Sequence, residues 1–252
     1  MNFRDKIILI TGAAGQLGIA TARNFIKKGG KVWLADSDET ALDQANKDLP
    51  RESIIGSLVM DVSSQESVET AFSEITNKSS RLDVLINNAG IGVFTSFWDR
   101  NFSDFMHVMA VNAGGTFLCT REALKIMKGE GNGSIVNIGS IYGLVSSDPS
   151  IYTDCSRINS EAYSASKAAV IQLTKYFSVH AKEFGVRVNC VSPGGIFNNQ
   201  GKDFVKNYSA KTPLGRMARY DEIVGAILFL SSSDADYVTG QNIIVDGGFT
   251  AW

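Results

Sequence analysis

The sequence is poor in the residues that build metal and disulfide sites. Cysteine occurs three times, at Cys119, Cys155 and Cys190, and histidine twice, at His107 and His180. An odd number of widely spaced cysteines, none in a C-x-x-C arrangement, argues against both a disulfide framework and a thiol redox or zinc motif. Two histidines are too few for an ordinary zinc centre, so no metal is expected. An excess of one charge is also missing. The formal net charge is −2, from 24 Lys and Arg against 26 Asp and Glu, which gives no electrostatic footprint for nucleic acid or an anionic membrane. The longest apolar runs, IILI (7–10) and AILFL (226–230), are far shorter than a bilayer-spanning helix requires. The N-terminal MNFRDKIILITG lacks the apolar stretch and small-residue cleavage site of a secretory signal. These absences predict a cytoplasmic, metal-free protein whose partner is a small molecule, not a nucleic acid or a membrane.

What is present is a regular alternation. KIILIT (6–11) reads as a buried strand ended by Gly12, and IATARNFIKK (19–28) has helical spacing and stops at Gly29-Gly30. Strands follow at KVWLAD (31–36), SLVMDV (57–62), LDVLINNAG (82–90), GSIVNIGS (133–140), VRVNCVSPG (186–194) and QNIIVDGG (241–248). Ser63 and Glu66 suggest a capping box between the third strand and its helix. Seven continuous apolar strands with helices between them predict an α/β, doubly wound parallel sheet of the Rossmann type, covered on both faces. No repeat, low-complexity tract or composition break divides the 252 residues, so a single domain over 1–252 is expected.

Strand, TGAAGQLG (11–18), then helix is the context in which glycines serve a dinucleotide. Small residues admit the pyrophosphate to the backbone, and the helix N-terminus offers unpaired N–H groups and a positive dipole end. Gly12, Gly15, Gln16, Leu17 and Gly18 are therefore candidate cofactor residues. Asp36 closes the second strand, 24 residues after Gly12. A carboxylate there accepts hydrogen bonds from ribose hydroxyls and repels a 2′-phosphate, which predicts NAD in preference to NADP.

YSASK (163–167) sets Tyr163 and Lys167 four residues apart, on one face of a helix. Among the seven tyrosines only Tyr163 has lysine at that spacing. The pair is either an inconsequential surface contact or a phenol beside an ammonium for acid–base work.

With these residues in hand, the chain resembles the short-chain dehydrogenase/reductase family in its compact single-domain branch. The motifs run in family order: TG…G (11–18), Asp61-Val62, NNAG (87–90), Asn112 in AVNAGGTF, Ser140 in NIGS, YSASK, SPGG (192–195), PLGRMA (213–218) and YVTGQNIIVDGG (237–248). The resemblance implies that Ser140, Tyr163 and Lys167 are catalytic, with Asn112 in support. It implies further that Asp61, Val62, Asn88, Ala89 and Gly90 line the adenosine side of the cofactor, and Pro193, Gly194 and Ile196 its nicotinamide end. Tyr163 and Lys167 would contact the cofactor as well. A free phenol has a pKa near ~10, and the neighbouring ammonium together with the positive nicotinamide ring is expected to favour phenolate. Members of this branch are commonly homotetramers or homodimers.

Three departures from the family pattern stand out. Gln16 occupies a position where the compact branch usually has glycine, and is expected to be helical with its side chain outward. The stretch between Ser140 and Tyr163 is longer than usual, which predicts an inserted loop over about 144–160 near the cleft mouth and makes Tyr152 a rival to Tyr163. The substrate-loop region, about 195–213, carries Asn198, Asn199, Gln200, Lys202 and Asn207, a set that either lines a pocket for a polar, hydroxyl-rich molecule or faces water. The insertion and the ending VDGGFTAW are similar to family members of bacterial surface-sugar and flagellin-modification pathways. The expected function is NAD(H)-dependent interconversion of a secondary alcohol and a ketone on a sugar-like molecule. The alternatives are a 3-ketoacyl (acyl-carrier-protein) reductase and a non-catalytic NAD-binding sensor.

Overall fold

The computed structural model describes residues 1–153 and 158–252; residues 154–157, part of the expected insertion, lie outside the described residues. Seven described strands form a parallel sheet: β1 (Ile7–Thr11), β2 (Lys31–Asp36), β3 (Ile54–Val59), β4 (Val84–Asn87), β5 (Gly133–Ile138), β6 (Val186–Pro193) and β7 (Asn242–Val245). Their order is β3-β2-β1-β4-β5-β6-β7. The helices are α1 (Gln16–Lys27), α2 (Glu39–Lys47), α3 (Gln65–Ser79), α4 (Phe102–Met109), α5 (Gly115–Glu130), α6 (Glu161–His180), α7 (Lys202–Lys211) and α8 (Tyr220–Ser231).

Alternation of side chains along a strand explains why the strands are apolar throughout. Ile8 and Ile10 point to one face, where they pack with Phe25 of α1 and Ile223 and Ile227 of α8. Leu9 between them points to the other face, among Val68 and Phe72 of α3 and Ala123 and Met127 of α5. All three are fully hidden, which requires helices on both sides, as the doubly wound reading predicted. Chain connections leave β1 toward β2 and later return to β4 on its opposite side. The reversal opens a crevice at the carboxyl ends of β1 and β4, the place where such sheets bind ligands.

Some boundaries differ from expectation. The third strand is Ile54–Val59, not 57–62. Gly56 and Ser57 mask its apolar character in sequence, and Gly56 is needed because a Cβ there would sit 2.4 Å from the Trp33 ring. The helix cap is Ser64, which accepts from the Ser67 N–H; Ser63 instead hydrogen-bonds Asp61 Oδ1. The helix carrying Tyr163 ends at His180, and a separate 3-10 turn leads to Gly185, whose φ of 65° makes the stop. Gln16 opens α1, as expected. Among the described residues no helix is long and apolar enough to cross a membrane.

Candidate active site

The glycine-rich turn is shaped by close backbone approach. Gly12 has φ 61°, and a Cβ on it would lie 2.7 Å from the Ala89 Cα. Gly18 lies under the turn, where a Cβ would come within 2.4 Å of the Gly12 carbonyl oxygen. Gly15 has φ −70° and ψ 158°, open to any residue, and caps α1 without a side chain. The first α1 amides are therefore left for a ligand, with no acidic residue in that turn. Thr11, to which sequence reasoning gave no role, ties the two strand ends together: its Oγ1 accepts from the N–H groups of Asn88 and Ala89, each at 3.1 Å. Asn88 Nδ2 donates back to the Thr11 and Gly12 carbonyls at 3.0 and 2.8 Å.

Asp36 stands at the rim, with Oδ2 accepting from the Ala14 N–H at 3.0 Å and Oδ1 from the Asp38 N–H at 3.2 Å. Gly12, Gly15, Gln16, Leu17, Asp36, Asp61, Val62, Asn88, Ala89 and Gly90 all line one cleft of about 640 Å³. A main-chain cradle that side chains would fill, an uncapped helix start and a carboxylate at the far end fit a dinucleotide.

The cleft continues into a second space of about 520 Å³ through shared walls at Leu17, Asn88, Gly90 and Ile91. Ser140, Tyr163, Lys167, Pro193, Gly194 and Ile196 line it. Ser160 caps α6 by accepting from the Tyr163 N–H at 3.1 Å, so Tyr163 falls in the first turn and Lys167 one turn later. Lys167 is 4% exposed; its Nζ donates to the Ile138 carbonyl at 2.8 Å and lies 5.6 Å from the Tyr163 ring centre. Ser140 Oγ accepts from the Tyr142 N–H at 3.1 Å and lines the same wall as the Tyr163 phenol, whose charged form it favours. The pair is thus a cleft pair, not a surface contact.

Burial dominates the electrostatics of the pair. Burial raises the Tyr163 phenol above its ordinary range, only partly offset by the Ser140 hydrogen bond, and Tyr152 raises it further. Burial also lowers the Lys167 ammonium to about 8. Removal from water disfavours the charged form of each group.

Asn112 does not line the cleft. It sits, 1% exposed, in a π-type turn (Ala110–Gly114) between α4 and α5. Its side chain holds Ile91 at both backbone groups, accepting from N–H at 2.8 Å and donating to C=O at 2.9 Å. It also donates to Ser166 Oγ at 2.9 Å, and Ser166 donates to the Tyr163 carbonyl at 2.7 Å. Ser166, three residues after Tyr163 on the same helix, was legible in YSASK only as a small residue.

The expected amide lining is largely absent from the pocket. Asn198 and Gln200 border it, but Gln200 is engaged with the Asn198 N–H and the Ile196 carbonyl. Asn198 Oδ1 accepts from Gln16 Nε2 at 2.8 Å, a bridge across the cleft mouth. Asn207 points to the insertion, and Asn199 and Lys202 face solvent. Phe94, Tyr142, Tyr152, Phe204 and Tyr208 supply much of the wall instead. Tyr152 is therefore a pocket residue beside Tyr163, with no lysine one turn on.

The sequence profile of the family described as Enoyl-(Acyl carrier protein) reductase matches residues 12–250. Meso-2,3-butanediol dehydrogenase of Serratia marcescens is 33% identical over 100% of this chain and 97% of its own. The crystal structure of a short chain dehydrogenase from Leptospira borgpetersenii with bound NAD+ is 40% identical, with a TM-score of 0.90 over 99% of this chain and 94% of its own. A gluconate 5-dehydrogenase from Burkholderia cenocepacia, in complex with NADP and tartrate, is 28% identical with a TM-score of 0.89, covering 100% and 97%.

Proposed function

The chain belongs to the short-chain dehydrogenase/reductase family, and from that premise we propose an NAD(H)-dependent enzyme that interconverts a secondary alcohol and a ketone on a polar, sugar-like small molecule. Membership makes it a nicotinamide-dependent oxidoreductase of secondary alcohols or ketones. The observation that carries the finer reading is the convergence of Ser140, Tyr163 and Lys167 on one wall of a cleft whose other half cradles a dinucleotide. Asp36 at the adenosine end supports NADH over NADPH.

The bound nicotinamide supplies the hydride. In the reduction direction Tyr163 must begin as a protonated phenol, and its raised pKa keeps it so. Ser140 Oγ already accepts from the Tyr142 N–H, which leaves its own proton to donate to the substrate oxygen as charge develops there. Lys167 spends one N–H on the Ile138 carbonyl and keeps the others for the cofactor ribose. Asn112, through Ser166 and Ile91, fixes where α6 sits against the cleft floor.

We read the chain as one dinucleotide-binding and catalytic unit, cytoplasmic and homo-oligomeric as a tetramer or dimer. Exposed Phe117, Tyr176 and Val179 on α5 and α6 support the oligomer. A link to surface-sugar or flagellin modification rests on the insertion and the C-terminal ending alone. The 3-ketoacyl reductase alternative draws on the description of the matching family, and Asp36 argues against the NADPH such an enzyme would use. The sensor alternative is not retained, since the chain belongs to an enzyme family and keeps all three candidate catalytic residues.

A panel of sugars, polyols and cyclic alcohols assayed for NADH formation tests this reading together with Tyr163→Phe. The variant should lose about 10³-fold in kcat, the scale of general acid–base catalysis, with NADH affinity held within about threefold. Loss of turnover in Tyr152→Phe, with Tyr163→Phe active, would transfer the role to Tyr152.

A further inference from the structure

Two phenols in the substrate half have no part in the proton transfer just described. Tyr142 follows the Ser140 turn and Tyr152 belongs to the insertion; both are half-buried and line the same space as Tyr163. Their oxygens are 3.5 Å apart. A good O–H···O bond is roughly 2.7–2.8 Å, so the two are only loosely joined and each keeps hydrogen-bonding capacity. A third oxygen set to one side of the pair reaches both at normal distances. Burial keeps the Tyr142 phenol protonated, a neutral donor. Tyr142, Tyr152 and Tyr163 line one space together.

The insertion is docked in a way that holds Tyr152 there. Asp148 pairs with Lys211 at the end of α7. Asn207 Nδ2 donates to the Ile151 carbonyl at 3.3 Å and to Thr153 Oγ1 at 2.8 Å. The Tyr152 ring packs on Phe204 at 5.2 Å, and Ile151 is fully buried in a cluster with Tyr208 and Met217. This small core, separate from the two that cover the sheet, makes the insertion and α7 one wall.

We propose that Tyr142 and Tyr152 form a specificity site for a second substrate oxygen, and that the insertion exists to deliver one of the two phenols. Ser140 and Tyr163 take the reacting oxygen, so the second belongs to another carbon of the same molecule; we assign it the shortest such spacing, which makes the preferred substrate a vicinal diol or the matching α-hydroxyketone. A hydroxyl suits the site because it accepts from one phenol while donating to the other. The inference rests on the alcohol/ketone oxidoreductase reading above.

The test compares cis-cyclohexane-1,2-diol with cyclohexanol, titrated calorimetrically into NADH-saturated protein, where no net reaction runs. Wild type should bind the diol about tenfold more tightly or better, the value of one or two added hydrogen bonds. Tyr152→Phe and Tyr142→Phe keep the rings and so the packing; each should bring the two alcohols to within about twofold while leaving NADH affinity unchanged. Equal or absent binding of the two alcohols by wild type overturns the inference, as does a diol preference that survives both substitutions. Failure of NADH to bind at all overturns the underlying function, and this inference with it.

Discussion

On the β1–β3 side of the cleft the binding surface is mostly main chain: the Gly12 turn, the uncapped start of α1 and the loop after β4, laced together by Thr11 and Asn88. On the β5–β7 side it is mostly side chain: Ser140, Tyr163, Lys167 and the aromatic wall of α7 and the insertion. The first half depends on residues that must be small, the second on residues that must be large and aimed. A cofactor common to many enzymes needs a backbone cradle that tolerates no added atoms. A substrate particular to one enzyme is read by projecting groups, which can be exchanged without disturbing the sheet.

That contrast can be broken most forcefully at Gly18. Alanine there would push its Cβ to 2.4 Å from the Gly12 oxygen and 2.8 Å from the Ala13 Cα. Gly18→Ala should cost about 3 kcal/mol and roughly 10 °C in Tm, together with most NADH affinity. Gly15→Ala has only the Gly12 oxygen nearby, at 3.4 Å, and should leave Tm within about 3 °C. Calorimetric melting of the two variants checks both; equal losses would mean that the turn is not shaped by contact.

A smaller effect is expected at Asp36. Fluorescence titration should show wild type preferring NADH, and Asp36→Ala should shrink the ratio of NADPH to NADH dissociation constants by about ten- to a hundredfold. An unchanged ratio would detach cofactor choice from this carboxylate.

The smallest effect belongs to Lys167, on the side-chain half. Its ammonium is lowered by burial to about 8 from an ordinary 10.5, so the folded chain gives up this proton before the unfolded chain does. Stability therefore rises with pH from about 8 toward 10.5, and below 8 the burial penalty is present in full. Lys167→Met removes the penalty at neutral pH. Its Tm advantage over wild type should be roughly 3–5 °C near pH 7 and should shrink by about pH 9.5. A constant gap across that range would place the Lys167 titration elsewhere.

Much of the first half was legible because its rules are local. Gly12, Asp36 and the NNAG loop announce themselves by position against strands that only a two-sided sheet could bury. YSASK was legible for the same reason, since helical spacing alone sets Tyr163 and Lys167 on one face. The roles of the amides of 195–213 were not legible because an Asn or Gln in sequence does not disclose whether its hydrogen bonds go to a ligand, to its own loop as in Gln200, or across the cleft as in Asn198 and Gln16. The burial of Tyr163 and Lys167 was not legible, because the motif displays the lysine but not the exclusion of water from both groups.

The sequence by itself determined the sheet, the glycine turn of the candidate dinucleotide cradle, and the identity of the proton-transfer candidates, because periodicity and steric demand act between residues close along the chain. Only the tertiary structure decided that residues 148–153 of the insertion pack onto α7, that Tyr152 joins Tyr142 in the space lined by the candidate catalytic residues, and that Tyr163 and Lys167 are both buried. Those outcomes depend on contacts between segments distant in sequence and on exclusion of water, which no local pattern of residues encodes.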